Sequence, residues 1–124
     1  MLKPWTEKYI RTIVNRGVKL LNKTNPGWAD KINLNLFNID CGHRCVLGQL
    51  YGSFGNALYT LNLDSDSNAA RKYGLDVRSF NSDKSSVDKW IKVVDQEIKL
   101  LNSTWKTAIK TERMILALKR PPKG

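Results

Sequence analysis

Two sets of residues in this chain of 124 have types and spacing that could do chemistry. The first is "DCGHRC", Asp40 to Cys45, which holds both cysteines and the only histidine. Cys41, His43 and Cys45 are zinc-ligand types with Asp40 adjoining, but structural zinc sites take four ligands, normally as two separated pairs. There is no second cysteine or histidine pair here, so a carboxylate would have to complete the shell. A thiolate nucleophile needs a base or a cation to lower its pKa. His43 and Arg44 are near in sequence, yet alternate side chains on a turn rarely align for proton transfer. A Cys41–Cys45 disulfide is sterically possible but disfavoured in a reducing cytosol. The plainest reading is a packed loop entering a helix, with Cys45 as a small buried apolar residue. The expectation is therefore no enzyme, no catalytic residue, no cofactor and no metal, with Cys41, His43 and Cys45 kept as the fallback ligand set.

The second set is a ladder of cations. Lys92, Lys99, Lys106, Arg113 and Arg120 stand seven residues apart, with Lys110 close beside them. On a helix they fall near one line, successive members about 10.5 Å apart. The ordinary explanation is a solvated outer face. The functional one is contact with phosphates, since a basic helical face attracts nucleic acid according to how many phosphates it neutralises. Only Asp95 and Glu97 are acidic between Asp88 and Glu112, whereas a merely soluble helix mixes both signs. No helix-turn-helix, zinc-finger or RNA-recognition signature is present, so such contact would follow the backbone. A compact anionic nucleotide could instead use a few of these cations with an aromatic side chain.

The distribution of charge agrees with the ladder. The chain has 21 basic and 11 acidic residues, a net charge of +10. Residues 1–25 hold six basic and one acidic side chain, residues 89–124 nine and three, and the stretch between them six and seven. Excess charge thus sits in the two terminal segments, which suits an anionic partner. No apolar stretch approaches a membrane span, and "MLKPWTEKYI" lacks the order of a signal peptide, so the expectation is a cytoplasmic protein without a membrane partner.

The elements that must position these residues read as helices. The first runs from about Thr6 to Lys23, with Thr6 as cap and Glu7 at the positive end of the dipole. Ile10, Ile13, Gly17, Leu20 and Leu21 share one side; Lys8, Arg11, Arg16, Lys19 and Lys23 share the other. Asn25-Pro26-Gly27 forms a turn. Residues 28–39 read as irregular with at most a helical turn. Helical periodicity returns at Arg44 through Val46, Leu47, Leu50, Tyr51 and Phe54, then continues past or breaks near Gly55. Gly48 and Gly52 share a face and invite close approach of another helix. Ser65 or Ser67 can cap a short helix that Gly74 ends in a left-handed conformation. Last comes the most regular segment: Val87, Ile91, Val94, Ile98, Leu101, Trp105 and Ala108 form a heptad seam, shifted sideways after Glu112 by Ile109 and Leu116. Unbroken from Ser86 to Lys119 it would be roughly 50 Å long, so it either bends near Asn102-Ser103-Thr104 or projects into solvent or a partner.

Other local signals are weaker. "DSDSNAARKYGL" starts like a calcium loop with Asp64, Asp66 and Asn68, but Ala69 and Leu75 stand where the glycine and the bidentate glutamate belong. Trp105 lies in the seam and reads as core, whereas Trp5 and Trp28 flank the first helix and are freer to meet a ligand.

The succession "NPGWADKINL", "CVLGQLYG", "ARKYGL" and "LNSTWKTAI" resembles a group of small uncharacterised proteins of actinobacterial bacteriophages. The positions carrying it are Pro26, Gly27, Trp28, Cys45, Val46, Leu47, Gly48, Gln49, Tyr73, Gly74 and Trp105. This chain is richer in lysine and asparagine, and its basic ends go beyond the pattern. The resemblance implies a viral setting rather than a chemistry. Small proteins of that kind often neutralise something in the host.

The expected architecture is a single all-α domain over residues 1–119 with a short basic tail at 120–124, both terminal amphipathic helices packing over a glycine-containing central helix. The expected function is non-enzymatic binding of a nucleic acid or a host-defence nucleotide through Lys92, Lys99, Lys106, Lys110, Arg113, Arg16, Lys19 and Lys23. The alternative is direct inhibition of a host protein through its acidic surface or nucleic-acid groove. Self-pairing through the seam would make a homo-oligomer.

Overall fold

The first turn of the first helix sets its boundaries by local chemistry alone. In the computed structural model, which describes residues 5–62, 68–75 and 87–119, helix α1 spans Glu7–Thr24. Thr6 is extended and its hydroxyl accepts from the Tyr9 N–H at 3.1 Å, which satisfies one of the donors that every helix start leaves open. The buried face of α1 is Ile10, Ile13, Val14, Gly17, Val18 and Leu21.

Asn25-Pro26-Gly27 turns the chain. Gly27 takes a φ of +81°, and a 3-10 turn follows over Trp28–Lys31. Beyond it the path is irregular, with Ile32, Phe37 and Ile39 directed inward. Helix α2 spans Val46–Tyr51 and α3 spans Phe54–Thr60. The break between them falls at Gly52, with φ +86°, and at Ser53, whose hydroxyl accepts from the Asn56 N–H. It comes before Gly55 because a left-handed residue followed by a capping serine ends one helix and starts the next. Helix α4 spans Asn68–Lys72, and Gly74 behind it is left-handed as expected.

Helix α5 runs unbroken over Val87–Lys119, 33 residues or about 50 Å. Asn102-Ser103-Thr104 does not interrupt it. The Asn102 side chain instead accepts from the Ile39 N–H at 2.7 Å and so holds the irregular segment against the helix.

Among the described residues there is no strand, and the fold is all-α with long helices at both ends. Those two helices pack chiefly on one another; α4 rests on α1, the 3-10 turn rests on α5, and α2 joins the assembly through the 3-10 turn. The centre is a joint of four segments. The Trp105 indole N–H donates to the Gly74 carbonyl at 2.7 Å, and its ring meets Trp28 edge-on with centroids 5.9 Å apart. A Cβ on Gly17 would run into the Tyr73 carbonyl oxygen and come within 2.9 Å of the Trp105 ring, so only glycine lets α1 lie this close.

Trp28 corrects one expectation. It is 1% exposed and donates through Nε1 to the Asn22 side chain at 2.9 Å, so it is core and not a free ligand contact. The preceding turn folds it back under α1, where Trp105 waits. Trp5 is half-buried beside Tyr9, and its backbone N–H donates to the Glu97 carboxylate at 3.3 Å.

The expected caps at Ser65 and Ser67, the connection over 76–86, the side chains of Val87, Trp90 and Ile91, and the tail with Arg120 lie outside the described residues. Among those described, no helix is long and apolar enough to cross a membrane.

Candidate functional site

The cysteine–histidine loop is built from main-chain contacts. Cys45 is 1% exposed and caps α2, its sulfur accepting from the Gly48 N–H at 3.3 Å. His43 Nδ1 donates to the Gly52 carbonyl at 3.1 Å and clamps the far end of the same short helix. The Phe54 N–H donates to the Gly42 carbonyl at 3.0 Å, which ties α3 to the loop as well. Gly48 makes this possible: a Cβ there would collide with the Gly42 carbonyl and stand 2.7 Å from His43 main-chain carbon. The neighbour that Gly48 admits is therefore the chain's own loop, not a second helix. Both cysteines are free thiols, and among the described residues no group of three or more His, Cys, Asp or Glu is placed to hold a metal. Gln49 completes the joint, accepting from the Asn33 N–H and donating to the carbonyls of Asn33 and Arg44.

Between α1 and α5 lies an open groove of about 390 Å³. Its walls include Glu7, Arg11, Val14, Thr104, Thr107 and Glu112. Arg11 is paired with Glu7 at 3.5 Å across one helical turn, an exposed pair of small energetic weight. None of the eight cations expected to bind a ligand lines this groove. Arg16, Lys19 and Lys23 are exposed on the side of α1 away from its buried face. The cations of α1 and α5 thus do not converge across the groove, and a compact nucleotide there would face two carboxylates and one arginine already held by one of them.

The ladder on α5 divides in two. Lys92, Lys99, Lys106 and Lys110 are exposed, and among the described residues none has a carboxylate partner. They span 19 residues, about 27 Å of helix from first to last. Arg113 stands apart from them. Its Nε donates to the Ala29 carbonyl at 2.9 Å, and Nη2 donates to the Ile32 carbonyl. Ala29 lies in the 3-10 turn and Ile32 just past it; the Ala29 carbonyl also accepts from the Ile32 N–H at 3.4 Å, so Arg113 reinforces the end of the turn where the chain leaves it. The planar guanidinium presents its donors in a fixed fork that meets both acceptors, whereas a lysine ammonium offers three donors from a single nitrogen. The heptad spacing could not reveal this, because the acceptors belong to a segment more than eighty residues earlier.

The end of the unbroken α5 projects, one of the two outcomes expected for it, but the apolar side chains it exposes are not singled out by sequence reasoning. Met114 is 68% and Leu118 85% exposed, with Ile115 beside them. Leu116 packs on the core and Arg113 holds the 3-10 turn, so one side of these last turns is anchored and the other is bare. The signal was present in "ERMILALK", where apolar residues occur on more faces than one seam can bury. Comparison of the chain with protein-family models, with curated proteins and with solved structures finds no match.

Proposed function

We propose that this is a non-enzymatic protein that binds the phosphate backbone of nucleic acid along the outer face of α5. The observation that carries the reading is the straight row of Lys92, Lys99, Lys106 and Lys110, exposed and without carboxylate partners among the described residues. Each of these ammonium groups can displace a condensed counterion from a polyanion, and that release drives association. An extended ligand fits a row about 27 Å long better than a compact one does. Arg113 is left out, since its donors are already committed to main-chain carbonyls. In the bacteriophage setting that the resemblance implies, such binding would serve interference with host defence.

Titration against duplex DNA, single-stranded DNA, RNA and cyclic nucleotides over a range of salt tests the reading. Four lysines on duplex DNA give a slope of log K against log salt of about −3 to −4. No binding to any polymer at low ionic strength removes the proposal. Tight, nearly salt-independent binding of a cyclic nucleotide would replace it with the compact-ligand alternative.

A further inference from the structure

The bare apolar end of α5 lies directly beside the lysine row. At 100° per residue, Lys99, Lys106 and Lys110 occupy one line of the helix, and the adjacent line holds Gln96, Ser103, Thr107, Met114 and Leu118. Every member of that second line is exposed. It changes character along its length, from small polar side chains to two large apolar ones at 68% and 85% exposure.

Three occupants suit an exposed apolar patch: another protein, a second copy of this chain, or a nucleic acid with accessible bases. A stable protein interface takes about 20–30 residues a side around an apolar centre, and the bare patch offers only Met114, Ile115 and Leu118. A second copy packed antiparallel on this face is related by a two-fold axis that leaves each flank on its own side. The two lysine rows would then run away from the patch in opposite directions along one flank, leaving their charge without a complement. A nucleic acid meets neither objection, because its charge complements the row and its bases are apolar on their faces. Duplex DNA keeps those faces stacked inside, whereas a single strand exposes them to protein side chains.

We infer that α5 prefers single-stranded nucleic acid, the strand's phosphates following Lys99, Lys106 and Lys110 and its unstacked bases resting on Met114 and Leu118. The inference rests on the backbone-binding reading above and names the ligand class for that same face. The lysine line fixes the track of the strand, and the apolar end supplies the contribution that salt does not screen. Thr107 and Ser103 lie under the strand's other bases, although both hydroxyls can already bond within the helix, as Ser103 does to the Leu100 carbonyl.

The test uses the full chain, a fluorescent 20-nucleotide mixed-sequence DNA strand, and the same strand annealed to its complement. Single-strand affinity is expected to exceed duplex affinity at least tenfold at equal salt. In the variant Met114→Ser/Leu118→Ser, single-strand affinity should fall about tenfold while the salt slope and duplex affinity stay unchanged. Both side chains are exposed, so the fold is kept, and circular dichroism of the variant verifies that. Equal affinity for strand and duplex, or a variant indistinguishable from the parent on the single strand, overturns this inference while leaving backbone binding intact. No binding of either DNA, or of an RNA strand of the same sequence, at low salt removes the backbone reading itself. Loss of a dimer in the variant by sedimentation, with unchanged DNA binding, would assign the patch to a second copy instead.

Discussion

The two sides of α5 make opposite use of the same helical repeat. On the inner side, Leu101, Trp105 and Ile109 are fully buried, Trp105 gives its one donor to Gly74, and Arg113 gives its donors to Ala29 and Ile32. On the outer side, four lysines carry charge into solvent without a carboxylate partner among the described residues. A structural face is recognised by partners supplied from distant segments, and a face available for binding by their lack. The contrast between Arg113 and Lys106 is the sharpest instance. They share a heptad position, yet one belongs to the fold and the other to the surface.

The largest expected effect lies at the inner centre. Trp105→Ala should cost about 3–5 kcal/mol, since it removes the ring packed on Trp28 and Gly17 and leaves the Gly74 carbonyl without its donor. Equilibrium denaturation measures this, and a loss below about 1 kcal/mol would break the claim that the four segments meet there. Next comes Gly17→Ala. Overpacking of a tight core contact costs about 1–3 kcal/mol, and here the obstacle is partly the Tyr73 backbone, which places the effect at the upper end.

Arg113→Met should then cost about 2 kcal/mol through its charged hydrogen bonds, while the salt slope of nucleic-acid binding stays where it was. If the slope fell instead, Arg113 would belong with the lysines and the division of α5 would collapse. The smallest change in stability is expected for Lys106→Gln/Lys110→Gln, within about 0.5 kcal/mol per site, as for other surface positions. That same pair of changes should flatten the slope by about 1.4–1.8. Measuring both quantities on both variants separates the inner side from the outer one.

Much of the scaffold could be anticipated from local chemistry. Thr6 as cap, the turn at Asn25-Pro26-Gly27, left-handed Gly74 and the long terminal helices are all found. These depend on neighbours within a few residues, which a sequence displays. The reading of "DCGHRC" as a packed joint also matches the geometry, with Cys45 buried and capping α2. What escaped was long-range. Sequence alone leaves Trp28 free to meet a ligand, because nothing near it in the chain shows that Trp105 covers it. Gly48 suggested a second helix, since spacing alone does not tell a helix from a loop folding back. For the candidate site, the lysines were legible as a line, but the withdrawal of Arg113 and the bare end of α5 depend on where the rest of the chain comes to lie.

The bond from Arg113 to Ala29 joins positions 84 apart, and that from Trp5 to Glu97 joins positions 92 apart. Until α5 has left the ribosome, the buried stripe of α1 has α4 beside it but lacks its chief partner, and the Ala29 and Ile32 carbonyls lack the Arg113 guanidinium. Assembly is therefore deferred until α5 has been made, and the earlier helices must wait for it with greasy residues uncovered.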